Sequence, residues 1–175
     1  MTNARTASVH ASAVKVGNRA VLIRGPSGAG KSRLALDLIL AGRSGQIPQA
    51  VLVGDDRVYL SAREGQLVVR PARELAGKIE IRGLGIRRCD FAEEAIVDLV
   101  VDLGATDAAR LPSAEALTVQ IEGILIPRIP IGVGFSPLPL VVAALTMTAN
   151  SSGTQASADC SKGFGNHISP TIATE

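Results

Sequence analysis

A chain of 175 residues with 46% hydrophobic content can bury the core of one ordinary domain and is too apolar to be disordered throughout. Its net charge is +2 with acids and bases interspersed. No basic block marks a nucleic-acid footprint, and Tyr59, Phe91, Phe135 and Phe164, the complete aromatic set, are too few for a base-stacking surface. Cys89 and Cys160 lie far apart without CxxC spacing, which points away from zinc sites and disulfide frameworks and toward a reducing cytoplasm.

The opening stretch MTNARTASVHAS has no continuous apolar run of the signal-peptide kind, so a soluble protein is expected. His10 lies in this stretch, either as a surface residue or placed to orient a carboxylate. Ala20-Val21-Leu22-Ile23 reads as a short buried strand, and KSRLALDLILA, residues 31–41, reads as a helix. Between them Gly25-Pro26-Ser27-Gly28-Ala29-Gly30-Lys31-Ser32 has the Walker A spacing. Strand, glycine loop and helix are the setting in which backbone N–H groups and a helix N-terminus capture the phosphates of a nucleotide. Lys31 is expected to reach the outer phosphates and Ser32 to offer its hydroxyl to Mg²⁺.

Downstream, Gly42-Arg43-Ser44-Gly45-Gln46 stops the helix, and Ala50-Val51-Leu52-Val53 makes a buried strand ending at Gly54-Asp55-Asp56. An acidic pair after such a strand fits a hydroxyl-activating base beside a metal-organising acid, and equally a solvated turn. The segments 57–62 and 66–70, joined by Glu64-Gly65, read as a hairpin. Residues 71–77 read as a short helical turn and 78–82 as an alternating strand, with Gly83 and Gly85 in a tight loop. IVDLVVDL, residues 96–103, is another strand, whose Asp102 competes for the metal role of a Walker B acid. Residues 119–126 read as one further strand, followed by a proline-punctuated segment and a helix over 138–148. That last apolar run is too short to span a bilayer, so no membrane association is expected. Residues 1–148 form the expected domain, and the polar stretch 149–175 an expected mobile tail. Strands outnumber helices and follow one another directly, so the fold class is α/β with a mixed sheet and flanking helices.

His10, GPSGAGKS (25–32) with LALDLI behind it, GDDRV (54–58) and EIRGLGI (80–86) stand in the order and approximate spacing of the catalytic domain of the HPr kinase/phosphorylase family. The chain resembles that domain over roughly residues 9–145. The resemblance implies Mg²⁺- and ATP-dependent phosphorylation of a serine on HPr or on a nitrogen-type HPr paralogue, with phosphorolysis of that phosphoserine in many members. It also implies a homo-oligomer, often a hexamer. Asp55 becomes the acid/base residue with Asp56 beside it, Ser32 and Glu80 lie on the Mg²⁺ side, and His10 and Lys31 complete the catalytic set. Arg82 and the turn 83–85 shape the site wall. Full-length members carry an additional N-terminal domain, so the resemblance is to a short, catalytic-domain-only form. Many members also carry a basic Pro-x-Arg-Pro-Gly-Arg-Asn segment implicated in phosphorolysis, where this chain has Ile126-Pro127-Arg128-Ile129-Pro130, leaving Arg128 to supply charge in that loop. The competing readings are a nucleotide-sensing module that regulates a partner without transferring phosphate, and a small-molecule kinase, which needs a lid with more arginines than this one.

Overall fold

The structure, a computed structural model, describes residues 8–147. The expected tail lies outside them. The strands are β1 (Ser8–Val9), β2 (Ser12–Val16), β3 (Arg19–Arg24), β4 (Ala50–Gly54), β5 (Val58–Arg63), β6 (Gln66–Pro71), β7 (Lys78–Ile81), β8 (Gly85–Arg88), β9 (Ala95–Leu103), β10 (Thr118–Ile121) and β11 (Ile124–Ile131). The helices are α1 (Lys31–Arg43) and α2 (Pro137–Thr146), with a 3₁₀ turn at Arg73–Leu75.

Nine strands make one sheet: seven follow the order β1-β5-β6-β9-β3-β2-β4, and β11, paired with β10, joins it at β9. β9 is its hinge. It runs parallel to β3 on one side, and on the other it pairs antiparallel with β6 through residues 95 and 96 and parallel with β11 through residues 100–103. The sheet is mixed, as the run of adjacent strand signals implies. β7 and β8 form a separate two-stranded hairpin.

Alternation along the central strands sends side chains into two cores. Val21 and Ile23 of β3 with Leu99, Val101 and Leu103 of β9 pack beneath Leu34, Leu38 and Ile39 of α1 and Val141 of α2. Ala20 and Leu22, with Val97 and Val100, face the other way onto Val58, Leu60, Leu67 and Val69 of the β5–β6 hairpin and Ile126 of β11. Both helices therefore cover one face, while the curled sheet and the β10–β11 hairpin close the other. Apolar burial on both faces is the main stabilising term, at about 25 cal/mol for each Å² removed from water.

Three differences from the sequence expectations have local causes. β2 joins β3 through Gly17-Asn18, with Gly17 at φ +59°, the two-residue turn favoured by right-twisted strands. Residues 119–126 are not one strand: Glu122 and Gly123 have φ +49° and +78° and turn the chain between Ile121 and Ile124. The proline-punctuated segment is not a loop, because Pro127 and Pro130 lie within β11. β11 leaves β10 at Pro127 and takes up β9 at Arg128, so these prolines sit at a change of partner and near an edge, where a missing N–H is tolerated.

Among the described residues no helix is long and apolar enough to cross a membrane.

Candidate active site

The parallel strands β3 and β9 end side by side, and the glycine loop leaves the tip of β3. Gly25, Gly28 and Gly30 all have positive φ, at 145°, 79° and 98°. A Cβ on Gly25 would meet the Leu103 carbonyl oxygen at 2.8 Å, so only glycine lets β3 turn this tightly past β9. Apart from its chain neighbours, nothing lies within 4 Å of a Cβ placed on Gly28 or Gly30, so that stretch of the loop faces open space.

Helix α1 begins at Lys31 with no side-chain cap and no acid in its first turn. Its leading N–H groups and the positive end of its dipole are thus left for an anion. Lys31 is buried, and its Nζ donates to the Gly25 and Pro26 carbonyls at 3.1 Å each. An ammonium has three N–H donors, so one remains after the loop is braced.

Asp55, at the end of β4, is the buried acid of this region, 3% exposed. Its Oδ1 accepts hydrogen bonds from the Ser12 hydroxyl at 2.6 Å and the Ser32 hydroxyl at 2.9 Å. Its Oδ2 accepts the backbone N–H of Glu80 at 3.1 Å. Strands β2, β4 and β7 and helix α1 thus converge on one carboxylate. Three of its roughly four lone-pair positions are used, leaving room for one incoming hydroxyl. Asp56 turns away with φ +68°, and its exposed carboxylate lies 3.3 Å from His10 Nε2.

The residues expected from sequence therefore meet: the loop 25–32, Asp55, Asp56, His10 and Glu80 surround one end of the sheet. Glu80 enters through its main chain, while its side chain is exposed. Ser12 was not among the candidates. The signal that exposes it is the Gly17-Asn18 turn, which pairs β2 with β3 and sets Ser12 opposite Ile23 at the site end of the sheet.

Two other expectations are corrected. Asp102 is no free Walker B acid. Arg24 Nε and Nη2 donate to its two oxygens at 2.7 Å each, and Arg128 Nε donates to Oδ2. Burial alone raises its pKa, but the hydrogen bonds and charges of Arg24 and Arg128 outweigh that and hold the carboxyl below the usual range. Arg128 likewise supplies no loose charge in a loop. It lies on β11, gripping Asp107 through Nη1 and Nη2 and also held by Asp102, and those partners raise its pKa.

Among the described residues no group of three or more His, Cys, Asp or Glu could cage a metal ion by itself. Mg²⁺ takes one or two protein ligands and completes its shell with phosphate and water. Ser32 fits such a role, since its proton goes to Asp55 and its oxygen lone pairs stay available. The uncapped helix, open glycines and third Lys31 donor fit the phosphates of a nucleotide.

A mixed sheet with a strand, positive-φ glycine loop and helix at the ends of parallel strands defines an α/β domain built in the P-loop manner. A family model described as the HPr Serine kinase C-terminal domain matches residues 2–162, and the chain belongs to that family. It is 31% identical over 159 residues to an HPr kinase/phosphorylase of Mycoplasma mycoides, covering 80% of this chain and 47% of that protein. With its counterpart in Enterococcus faecalis it shares 37% over 161 residues, 83% of this chain and 49% of that protein. The chain thus spans about half the length of these relatives. The solved structure of an Hpr(Ser) kinase/phosphatase from Coxiella burnetii superposes with a TM-score of 0.62 at 28% identity, covering 79% of this chain and 93% of that one.

Proposed function

We propose that this chain is a cytoplasmic serine kinase that uses ATP and Mg²⁺ to phosphorylate an HPr-type phosphocarrier, HPr itself or a nitrogen-type paralogue, and that it works as a homo-oligomer, in family terms a hexamer. The observation that carries the reading is Asp55, a buried carboxylate tied to the glycine-loop helix through Ser32 and to β7 through the Glu80 N–H.

Bound ATP with Mg²⁺ supplies the transferable phosphoryl group and a cation that offsets its charge. The chain's own residues do the rest. The backbone of 25–32 and Lys31 hold the phosphates. Ser32 and Glu80 are the metal-side residues. Asp55 accepts the proton of the seryl hydroxyl through its open lone-pair position, and Ser12 keeps that carboxylate from rotating. His10 and Asp56 flank the entrance. Phosphorolysis is not part of the proposal, because both ends of the Arg128 guanidinium are engaged by Asp102 and Asp107.

The test is mass spectrometry of purified HPr-type carriers incubated with this protein and Mg·ATP, with Lys31→Ala as the control. A phosphoserine that requires Lys31 supports the kinase. Tight ATP binding with no transfer to any carrier would replace it with the nucleotide-sensing module. A smaller expectation concerns the loop itself: Gly25→Ala, whose Cβ would strike the Leu103 carbonyl oxygen at 2.8 Å, should weaken ATP binding by about tenfold or more in calorimetry, because the displaced amides no longer converge. Unchanged affinity would show that the loop absorbs the methyl group.

A further inference from the structure

The β7–β8 hairpin stands apart from the main sheet and touches the site through the Glu80 N–H on Asp55. Residues 78–88 carry four bases, Lys78, Arg82, Arg87 and Arg88, against one acid, Glu80. That excess of three positive charges exceeds the +2 of the whole chain, so the remainder is slightly acidic and the basic charge is concentrated here. Arg82, Arg87 and Arg88 enter none of the ion pairs among the described residues.

All four residues of β8 are exposed, and Leu84 and Ile86 are 55% and 65% accessible. β8 pairs only with β7 among the described residues, so its outer edge is open to a further extended strand. Register sets Lys78 opposite Arg88 and Glu80 opposite Ile86, which puts all four on one face of the hairpin. A chain segment lying on that face passes the residue whose N–H holds Asp55.

We infer that the β7–β8 hairpin docks the acceptor protein through an extended, acidic segment beside the target serine, with Lys78 and Arg88 matching its carboxylates and Ile86 its apolar contact. This rests on the kinase reading and adds the chemistry by which the acceptor is chosen. Charges at a rim govern encounter and specificity more than the chemical step.

The experiment compares the wild-type protein with the double variant Lys78→Glu/Arg88→Glu, which reverses the two bases of that face, using a carrier that the wild type phosphorylates. Carrier binding is also measured by calorimetry without ATP. Expected are a rise of about tenfold or more in KM for the carrier, KM for ATP and kcat within about threefold, and matching loss of carrier affinity. Raising salt from about 50 to about 300 mM should weaken the wild type toward the carrier and hardly affect the variant. Lys78→Gln/Arg88→Gln should fall between them. Unchanged KM and affinity for the carrier would overturn the inference, as would a loss confined to kcat or one tracking a change of oligomeric state in light scattering. If the wild type binds a carrier without phosphorylating it, the kinase reading fails while the calorimetric comparison still decides the docking surface. Failure of the wild type to bind any carrier overturns both.

Discussion

Asp55→Asn is expected to lower phosphoryl transfer by about 10²- to 10⁴-fold while leaving ATP affinity within a few-fold, because the change removes a proton acceptor and leaves the phosphate loop in place. The amide has nearly the shape of the carboxylate, but it cannot reproduce all three contacts. If its oxygen serves the Ser12 and Ser32 hydroxyls, its NH₂ group faces the Glu80 N–H, donor against donor. If it flips, its NH₂ faces two hydroxyls that must rotate to accept. The variant should therefore also lose about 1–2 kcal/mol of stability, the cost of one buried hydrogen bond broken.

Ser12→Ala separates these effects. It removes one donor and retains the carboxylate, so it should cost stability of similar size and far less rate. Initial rates, calorimetry with ATP and urea melts on the two variants make the comparison. Transfer at the wild-type rate by Asp55→Asn would remove Asp55 from the chemistry, whatever its effect on folding.

The parts of this site legible in the sequence were those fixed by neighbouring residues. The glycine loop announces itself because its backbone demands, three positive φ values within six residues, admit few residue types. The acid pair at 55–56 is visible because an apolar strand stops there. The hairpin β5–β6 follows from alternation and Glu64-Gly65, and both its strands appear within a residue or so of their expected places. What the sequence hides is partnership at long range. Ser12 meets Asp55 across 43 positions, and Arg24 meets Asp102 across 78. No local pattern encodes either pair. Asp98 and Asp102 look alike in IVDLVVDL, yet the register shift at Ala20/Val21 skips Asp98, leaving it exposed with surface Arg19, whereas Asp102 falls between two arginines. The Glu122-Gly123 turn was obscured because apolar residues continue on both sides of it.

Asp102→Asn should identify the work of that second acid. The carboxylate joins Arg24, the residue immediately before the glycine loop, to Arg128 on β11 and so ties the ends of β3, β9 and β11 together. Replacing it leaves two guanidinium groups facing an amide. Complete loss of a buried ion-pair partner costs about 3–5 kcal/mol. Asp102 and Arg24 are only partly buried, so screening reduces the expected loss to about 1–3 kcal/mol at pH 7. The pH dependence has a definite sign. The folded-state pKa of Asp102 is lowered, so its stabilisation is fully present above the unfolded carboxyl value of about 3.9 and disappears as pH falls through the folded value. Wild type and variant should thus differ by a constant amount above about pH 5 and converge in strongly acidic solution, as urea melts across that range would reveal. An equal gap at all pH values would mean that the lost interaction is steric rather than ionic. Because both its oxygens are engaged by arginine, Asp102→Asn should also leave the Mg²⁺ concentration required for half-maximal transfer unchanged, whereas a tenfold rise would return this residue to the metal.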